Sequence, residues 1–170
     1  SAYYRHTTDV VTRVTRVIND TITLSRPENL LEEDNYGLEF IASADVGKWW
    51  KVNGSFNFFR AITDGGNLGE DLSADTYAWT ARVNSRMTFW EDFNLQLMFN
   101  YRGPQERPQG SRDAYYYLDA NLSYDILGGK GTLNLNVRDV FNSRRYRFTT
   151  DIEGLYATGD FRWSIRTVTL

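Results

Sequence analysis

A strict alternation of side-chain type between Thr76 and Phe89 constrains this chain more than any other feature. One set of positions is mostly apolar, with aromatics near both ends: Tyr77, Trp79, Ala81, Val83, Ser85, Met87 and Phe89. The positions between them are polar or small: Thr76, Ala78, Thr80, Arg82, Asn84, Arg86 and Thr88. Successive side chains of a β-strand point to opposite faces. The segment therefore predicts a strand with one apolar and one hydrated face.

The composition narrows what such strands can build. The 170 residues suit a single domain, aromatic residues reach 15%, and the mean hydropathy is −0.52. No segment approaches the ~20 apolar residues of a membrane-spanning helix, but a membrane barrel hides half of each strand in a polar lumen and gives a weak hydropathy signal. A net charge of −3 argues against nucleic-acid binding, and the absence of cysteine excludes disulfides and thiolate metal sites.

Strand-like segments recur along the whole chain. We predict strands at Ala2–His6, Val10–Ile18, Thr21–Ser25, Asn35–Val46, Trp49–Ile62, Thr76–Phe89, Phe93–Arg102, Tyr115–Ile126, Gly131–Val140 and Asp160–Leu170. Short and long connections alternate between them. The short ones are Gly47-Lys48, Glu91-Asp92 and Leu127-Gly128-Gly129-Lys130, and the long ones are Asn19–Asp34, Thr63–Asp75, Gly103–Ala114 and Phe141–Gly159. Outer-membrane barrels have short periplasmic turns and long extracellular loops, whereas a soluble meander has no reason to place its long loops at one end.

The distribution of aromatics supports a membrane setting over a soluble β-sandwich. Trp49, Trp50, Phe89, Trp90 and Phe93 lie beside the short turns, and Phe58, Phe59, Tyr77, Trp79 and Tyr101 lie toward the long links. Two aromatic girdles around an aliphatic band are typical of bilayer interfaces. The opposite face is expected to line a lumen with Arg82, Asn84, Arg86, Asn94, Gln96, Arg102 and Arg138. The predicted fold class is all-β, an antiparallel up-and-down meander of a transmembrane β-barrel with about eight long strands.

Several segments resemble a known family in their order and spacing. They include Tyr4–Val11, Thr23–Leu30, the Gly-Leu-Glu strand Tyr36–Phe40, Trp49–Arg60 and the Asp-Val-Phe-Asn strand end within Leu135–Asn142. This order is similar to the C-terminal barrel portion of TonB-dependent receptors and related outer-membrane β-barrel proteins, especially those of Bacteroidetes-type bacteria. The resemblance covers nearly the whole chain.

The resemblance implies a function in nutrient uptake. Family members combine a plug domain with a barrel of about twenty-two strands, so residues 1–170 would supply roughly its last third as part of a longer protein. The chain would contribute barrel wall, lumen lining and extracellular loops to a receptor in the bacterial outer membrane. Its partners would be membrane lipid, a plug domain and TonB, both outside this chain, and an unidentified nutrient. Two other interpretations stay open: a complete eight-stranded barrel acting as an anchor or adhesin, and a soluble carbohydrate-binding sandwich.

Neither catalysis nor a cofactor is expected. The single histidine, His6, lies at a polar strand end without a supporting motif, and the carboxylates at Glu32-Glu33-Asp34 and at Glu70-Asp71 with Asp75 lack calcium-loop spacing. The residues predicted to contact a ligand lie in the long loops: Arg144, Arg145, Arg147, Tyr115 and Tyr116. Arginine can grip anions through two parallel hydrogen bonds, and tyrosine can stack on a sugar or peptide.

Two questions depend on the tertiary structure. The inner-face arginines would pair with Asp119, Asp125 or a plug's acids in a large barrel, and would form a core network in a small one. The edges at Ala2–His6 and Asp160–Leu170 are expected to self-associate with other copies if they remain unpaired.

Overall fold

Antiparallel strands make up most of the computed structural model, which describes residues 1–68, 72–90, 92–162 and 165–170. Within these ranges the only helical element is a single 3-10 turn at Gly66–Leu68. The strands are β1 (Ala2–Asn19), β2 (Ile22–Val46), β3 (Trp50–Asp64), β4 (Ala74–Phe89), β5 (Phe93–Arg102), β6 (Gln105–Arg107), β7 (Gly110–Arg112), β8 (Tyr115–Ile126), β9 (Gly131–Arg138), β10 (Tyr146–Ile152), β11 (Leu155–Phe161) and β12 (Thr167–Thr169). The all-β prediction is confirmed.

Two sheets form from these strands. The large sheet has eight strands in the order β1-β2-β3-β4-β5-β8-β9-β12, so each strand pairs with its neighbour along the wall. The small sheet, in the order β11-β10-β7-β6, is built from hairpins inserted in two of the long connections. β1 and β12 are the edges of the large sheet, which is an open wall.

The strand register mostly places apolar residues beside apolar residues, and polar residues beside polar residues, across this wall. On one face, Phe56 of β3 lies opposite Ala81 of β4, which lies opposite Tyr101 of β5. On the other face, Asn53 lies opposite Asn84. Because pairing by one residue more or less would exchange the faces, this register produces the apolar band and the polar band expected from the alternation.

The connections keep their predicted asymmetry. Turns at 47–49 and 127–130 join strands at one end of the wall, and the connections with inserted hairpins lie at the other end. The third predicted tight turn includes Glu91, which lies outside the described residues.

The first long link was predicted wrongly. Residues 19–34 are not a loop, because β1 and β2 continue as one hairpin, with register running from Ala2↔Leu38 to Asn19↔Ile22. The four segments expected there therefore merge into two strands. Arg16 Nη1 lies 2.9 Å from Glu28 Oε1 across the pair. Polar residues occupy both faces of this extension, so hydrophobic periodicity could not detect it.

The last strand was also predicted wrongly. The segment Asp160–Leu170 contains the end of β11 at Phe161 and the three-residue β12, instead of one long strand. Trp163 and Ser164, which belong to the same prediction, lie outside the described residues. Strand β10 pairs with β11 from Tyr146↔Phe161 to Ile152↔Leu155, so hairpin pairing within the long connection replaces wall pairing over this stretch.

The main buried cluster lies at the long-connection end of the sheet, on β1, β2 and the link that precedes β4. Val14, Leu30 and Leu72 are almost fully buried together, with Val10 and Leu68 packed against them. Gln109, between β6 and β7, attaches the small sheet to β1: its Nε2 donates to the Thr15 carbonyl at 2.8 Å, and its Oε1 accepts from the Thr15 N–H at 2.7 Å. The β1–β2 extension and the inserted hairpins thus form a packed cap beyond the wall.

Candidate functional site

The apolar face of the wall carries two belts of aromatic rings. Beside the short turns, the Trp49 ring lies 5.8 Å from Trp50 and 5.6 Å from Phe89. Toward the cap, Trp79 stacks on Tyr101 with centroids 4.1 Å apart, and Phe58 stacks on Tyr77 at 5.9 Å. Amphipathic rings are favoured at the two bilayer interfaces. These contacts agree with the two girdles expected from the sequence, except that Phe59 lies opposite Ala78 on the polar face and was wrongly assigned to the girdle toward the long links.

The spacing of the belts fits a bilayer. Twelve residue steps separate Tyr77 from Phe89 on β4, which is about 40 Å at ~3.3 Å per residue. A strand tilt of about 45° reduces this to about 28 Å, close to the ~30 Å hydrocarbon core. Phe40, Val83 and Leu133 expose large apolar surface on this face. Ser85, the polar exception, accepts a hydrogen bond from Trp50 Nε1 at 2.8 Å and so needs no water.

The polar face carries a ladder of hydrogen bonds between strands. Arg82 Nε donates to Asn100 Oδ1 at 3.0 Å, and Gln96 Nε2 donates to Asn84 Oδ1 at 3.2 Å. Thr88 Oγ1 donates to Asn94 Oδ1 at 2.8 Å. This band holds the residues predicted to line the lumen.

The remaining lumen predictions lie on the same face. In the register of the sheet, Arg86 is opposite Gln96, Arg102 is opposite Tyr115, and Arg138 is opposite Thr167. Arg82, Arg86, Arg102 and Arg138 have no carboxylate within 4.0 Å among the described residues. The expected pairing of these arginines with Asp119 or Asp125 does not form in this structure. Instead, Asp119 accepts the Asp139 N–H at 2.8 Å, and Asp125 accepts the Thr132 hydroxyl at 2.6 Å.

The predicted loop residues divide between two surroundings. Arg144 lies over the Tyr117 ring, with its guanidinium carbon 4.3 Å from the centroid. Arg145 and Arg147 instead face Asp160 of β11, at 3.9 Å and 3.1 Å. Asp160 therefore partly neutralises the charges of Arg145 and Arg147, whereas Arg144 contacts an aromatic ring and no carboxylate.

Tyr115 and Tyr116 point to opposite faces because they are neighbours on one strand. Tyr115 stacks with Tyr117 on the polar face, with centroids 6.5 Å apart and planes 7° apart. Tyr116 lies on the apolar face, 6.4 Å from Phe99 and 6.3 Å from Phe141. The structure thus places Tyr115 toward the lumen and Tyr116 in the outer aromatic belt.

Sequence reasoning missed Arg112. Its side chain is only 3% exposed, its Nη2 donates to Gln105 Oε1 at 2.8 Å, and its buried Nε meets no acceptor. Burial, together with the charges of Arg102 and Arg107, lowers the pKa of Arg112 to about 10. No pattern in the segment signalled this burial, since only folding of the small sheet over the wall creates it.

A cavity of about 340 Å³ opens on the polar face near the cap. Its lining includes Arg82, Asn100, Arg102, Tyr115 and Tyr117. Asn100 Nδ2 is a buried donor without an acceptor. Two arginines and two tyrosines share this lining with the carboxylate of Glu39, and we call the space the mouth cavity.

The Asp-Val-Phe-Asn segment has a structural explanation. Asp139 is 2% exposed, and its carboxylate accepts the N–H groups of Ser143 at 2.9 Å and Arg144 at 3.0 Å. Asp139 and Asn142 both have a φ of 53°, a left-handed conformation that Asp and Asn tolerate better than most residues. The segment thus turns the chain out of β9 and positions Arg144.

The carboxylates considered as cation ligands have other contacts. The Tyr4 hydroxyl and His6 Nδ1 lie 2.7 Å and 2.8 Å from Asp34 Oδ1, and these two hydrogen bonds, the tyrosine's first, lower the pKa of Asp34. Arg60 holds Asp75 through two hydrogen bonds, which lower the pKa of Asp75. Within the described ranges, no three His, Asp or Glu side chains are grouped to hold a metal. Glu70 and Asp71 lie outside these ranges.

An open antiparallel wall with an apolar band between aromatic belts, a hydrogen-bonded polar face and a cap at one end defines an outer-membrane β-barrel protein. In the described part of the chain, no helix has the length and apolar character needed to cross a membrane. The sequence model of the outer membrane protein beta-barrel family matches residues 1–170, and the chain belongs to that family. No solved structure matches the chain. The protein is therefore located in the bacterial outer membrane, as predicted.

Proposed function

We propose that this chain forms part of the barrel wall of a TonB-dependent outer-membrane receptor that takes up a scarce nutrient. The observation that carries the proposal is the open sheet: β1 pairs only with β2 and β12 only with β9 among the described residues. Both edges then remain available to strands of a larger barrel. The similarity of ordered segments to the barrel portion of these receptors supports the same interpretation.

The polar face supports transport over a purely structural role. Its side chains are amides, hydroxyls and arginines that bond mainly to one another across strands, as in Asn121 Nδ2 to Asn136 Oδ1 at 2.6 Å. Such a surface suits a hydrated lumen or contact with a polar plug. The plug domain and TonB, both outside this chain, would supply the movement that opens the lumen. The chain itself would contribute wall and binding surface, with no chemical step.

Engineered disulfides test whether the wall is open, because the chain has no native cysteine. Tyr4→Cys would be combined in turn with Thr167→Cys, Val168→Cys and Thr169→Cys in the membrane-inserted protein. Val137→Cys with Val168→Cys is the positive control, because these residues face each other on β9 and β12. We expect the control to cross-link and the β1–β12 pairs to remain reduced. Efficient β1–β12 cross-linking would instead establish a closed eight-stranded barrel.

Uptake measurements test the transport part of the proposal separately. Cells that carry the full-length protein would be compared for solute accumulation with and without an active TonB complex. Accumulation that depends on the complex is the expected result. Accumulation that is unchanged without it would refute the assignment to this receptor class.

A further inference from the structure

The lining of the mouth cavity carries more positive than negative charge. Arg82 and Arg102 both line the cavity. Glu39 is the carboxylate in the lining, and its Oε2 lies 3.5 Å from Ser1 Oγ. Two arginines against one carboxylate leave the lining with a net positive charge, which favours a solute with an anionic group.

The arginines around the cavity carry uncompensated charge. Arg102, which lines the cavity, and Arg144, which lies over the Tyr117 ring, have no carboxylate within 4.0 Å in the described residues. Arg60 offers a contrast within the same chain, since it also contacts a tyrosine ring but is held by Asp75. Arginines that lack a carboxylate are available for the planar, bidentate recognition of an oxyanion.

Aromatic faces supply a second kind of contact. Tyr115 and Tyr117 lie side by side in the lining with nearly parallel rings. Arg144 covers Tyr117 from the connection that follows β9. A ring-bearing solute can pack against these tyrosines while its charged group reaches the arginines.

We propose that the mouth cavity binds a small ring-bearing solute through a carboxylate or sulfate group, with Arg102 and Arg144 as the anion contacts and Tyr115 and Tyr117 as the packing surface. This proposal rests on the proposed function and names the chemical class of its ligand. The cavity volume of about 340 Å³ falls within the ~300–1,000 Å³ typical of small-molecule sites. A concave cavity with this volume favours a solute over an acidic segment of a neighbouring domain.

Isothermal titration calorimetry on the full-length protein in detergent tests the proposal with glucuronate and glucose, which differ by one carboxylate. We expect saturable glucuronate binding that weakens as ionic strength rises, and much weaker glucose binding. Arg102→Gln and Arg144→Gln should each weaken glucuronate binding by about tenfold or more, as expected for loss of a charge-assisted hydrogen bond. Arg60→Gln is the matched control and should bind as the unmodified protein does.

Three results would overturn the proposal: equal affinity for glucose and glucuronate, unchanged affinity in both arginine variants, or no saturable binding of glucuronate. The last result would also be produced by an acidic segment of another domain that occupies the cavity. Failure of the receptor assignment is recognised independently, by β1–β12 cross-linking or by uptake without TonB. Glucuronate binding that depends on Arg102 would stand even in that case.

Discussion

Placing a charge at Val83 tests the assignment of the two faces of the wall. Val83 lies midway on β4 between the aromatic belts, six residue steps from Tyr77 and six from Phe89. Its register partners are Gly54 on β3 and Phe99 on β5, so apolar surface surrounds it. Six residues at ~3.3 Å each, on a strand tilted by about 45°, span about 14 Å along the bilayer normal. Val83 therefore lies about 14 Å from each aromatic belt, near the middle of the bilayer.

The Val83→Lys variant should therefore be strongly destabilised. A lysine facing lipid at the bilayer midplane costs about 2–4 kcal/mol, which is roughly thirtyfold to several hundredfold in the equilibrium between inserted and unfolded protein. The next residue, Asn84, provides the control, because it faces Asn53 and Met98 on the polar side. Asn84→Lys places the same charge one position away in a hydrated surface and should cost little.

Urea unfolding of the membrane-inserted protein, followed by the shift between heat-modifiable gel bands, measures both variants. We expect the free energy of unfolding to fall by at least about 2 kcal/mol for Val83→Lys and by no more than about 1 kcal/mol for Asn84→Lys, which loses the hydrogen bond from Gln96. Equal effects, or a larger loss for Asn84→Lys, would refute the assignment of faces. A loss in neither variant would show that the wall does not cross a bilayer.

Three further predictions concern the cap and its supporting contacts. Leu30 lies in the cap core and is 1% exposed. Leu30→Ala should therefore lower the stability of the cap by about 2–5 kcal/mol and speed proteolysis within the cap. Leu24→Ala, at an exposed position, should do neither. The pKa of His6 is raised above 6.5 chiefly by its hydrogen bond to Asp34. The charged form of this pair is therefore fully present below pH 6.5, and its stabilising effect is lost as pH rises through the folded pKa. An NMR titration should show the raised pKa of His6, and Asp34→Asn should lower that pKa. Asp139→Ala leaves two backbone N–H groups without their acceptor and should reduce the yield of heat-modifiable protein, while Asp139→Asn, which keeps a carbonyl oxygen, should reduce it less.

Much of the wall could be predicted because its signal is local. Every residue of a strand that separates lipid from a hydrated face must match the side of the sheet to which it points. The predicted bounds of β5 and β8 therefore coincide with those observed, Phe93–Arg102 and Tyr115–Ile126. The β1–β2 extension buries only a few apolar side chains, such as Val14 and Leu30, so its alternation is incomplete, and its continuous hairpin was predicted as separate short strands and a long link.

The candidate site was only partly visible in the sequence. The loop arginines formed a conspicuous run, yet Asp160 faces two of them, and only Arg144 lies beside the mouth cavity. Arg112 carried no signal, because its burial depends on the pairing of β7 with β10, which is distant in sequence. Strand pairing, both within the β10–β11 hairpin and between distant segments, decides which charges are neutralised, and the alternation of residue types does not encode it.

The sequence by itself determined the all-β class, the two faces of the wall, the aromatic belts and the end at which the long connections lie. Each of these follows from a two-residue period and from turn chemistry, which act within one strand or one hairpin. The tertiary structure alone decided that the cap has its own core, that the wall is open between β1 and β12, and that arginines and tyrosines from separate strands line the mouth cavity. Those features depend on which distant segments meet, and that is settled by packing and hydrogen bonding across the whole fold.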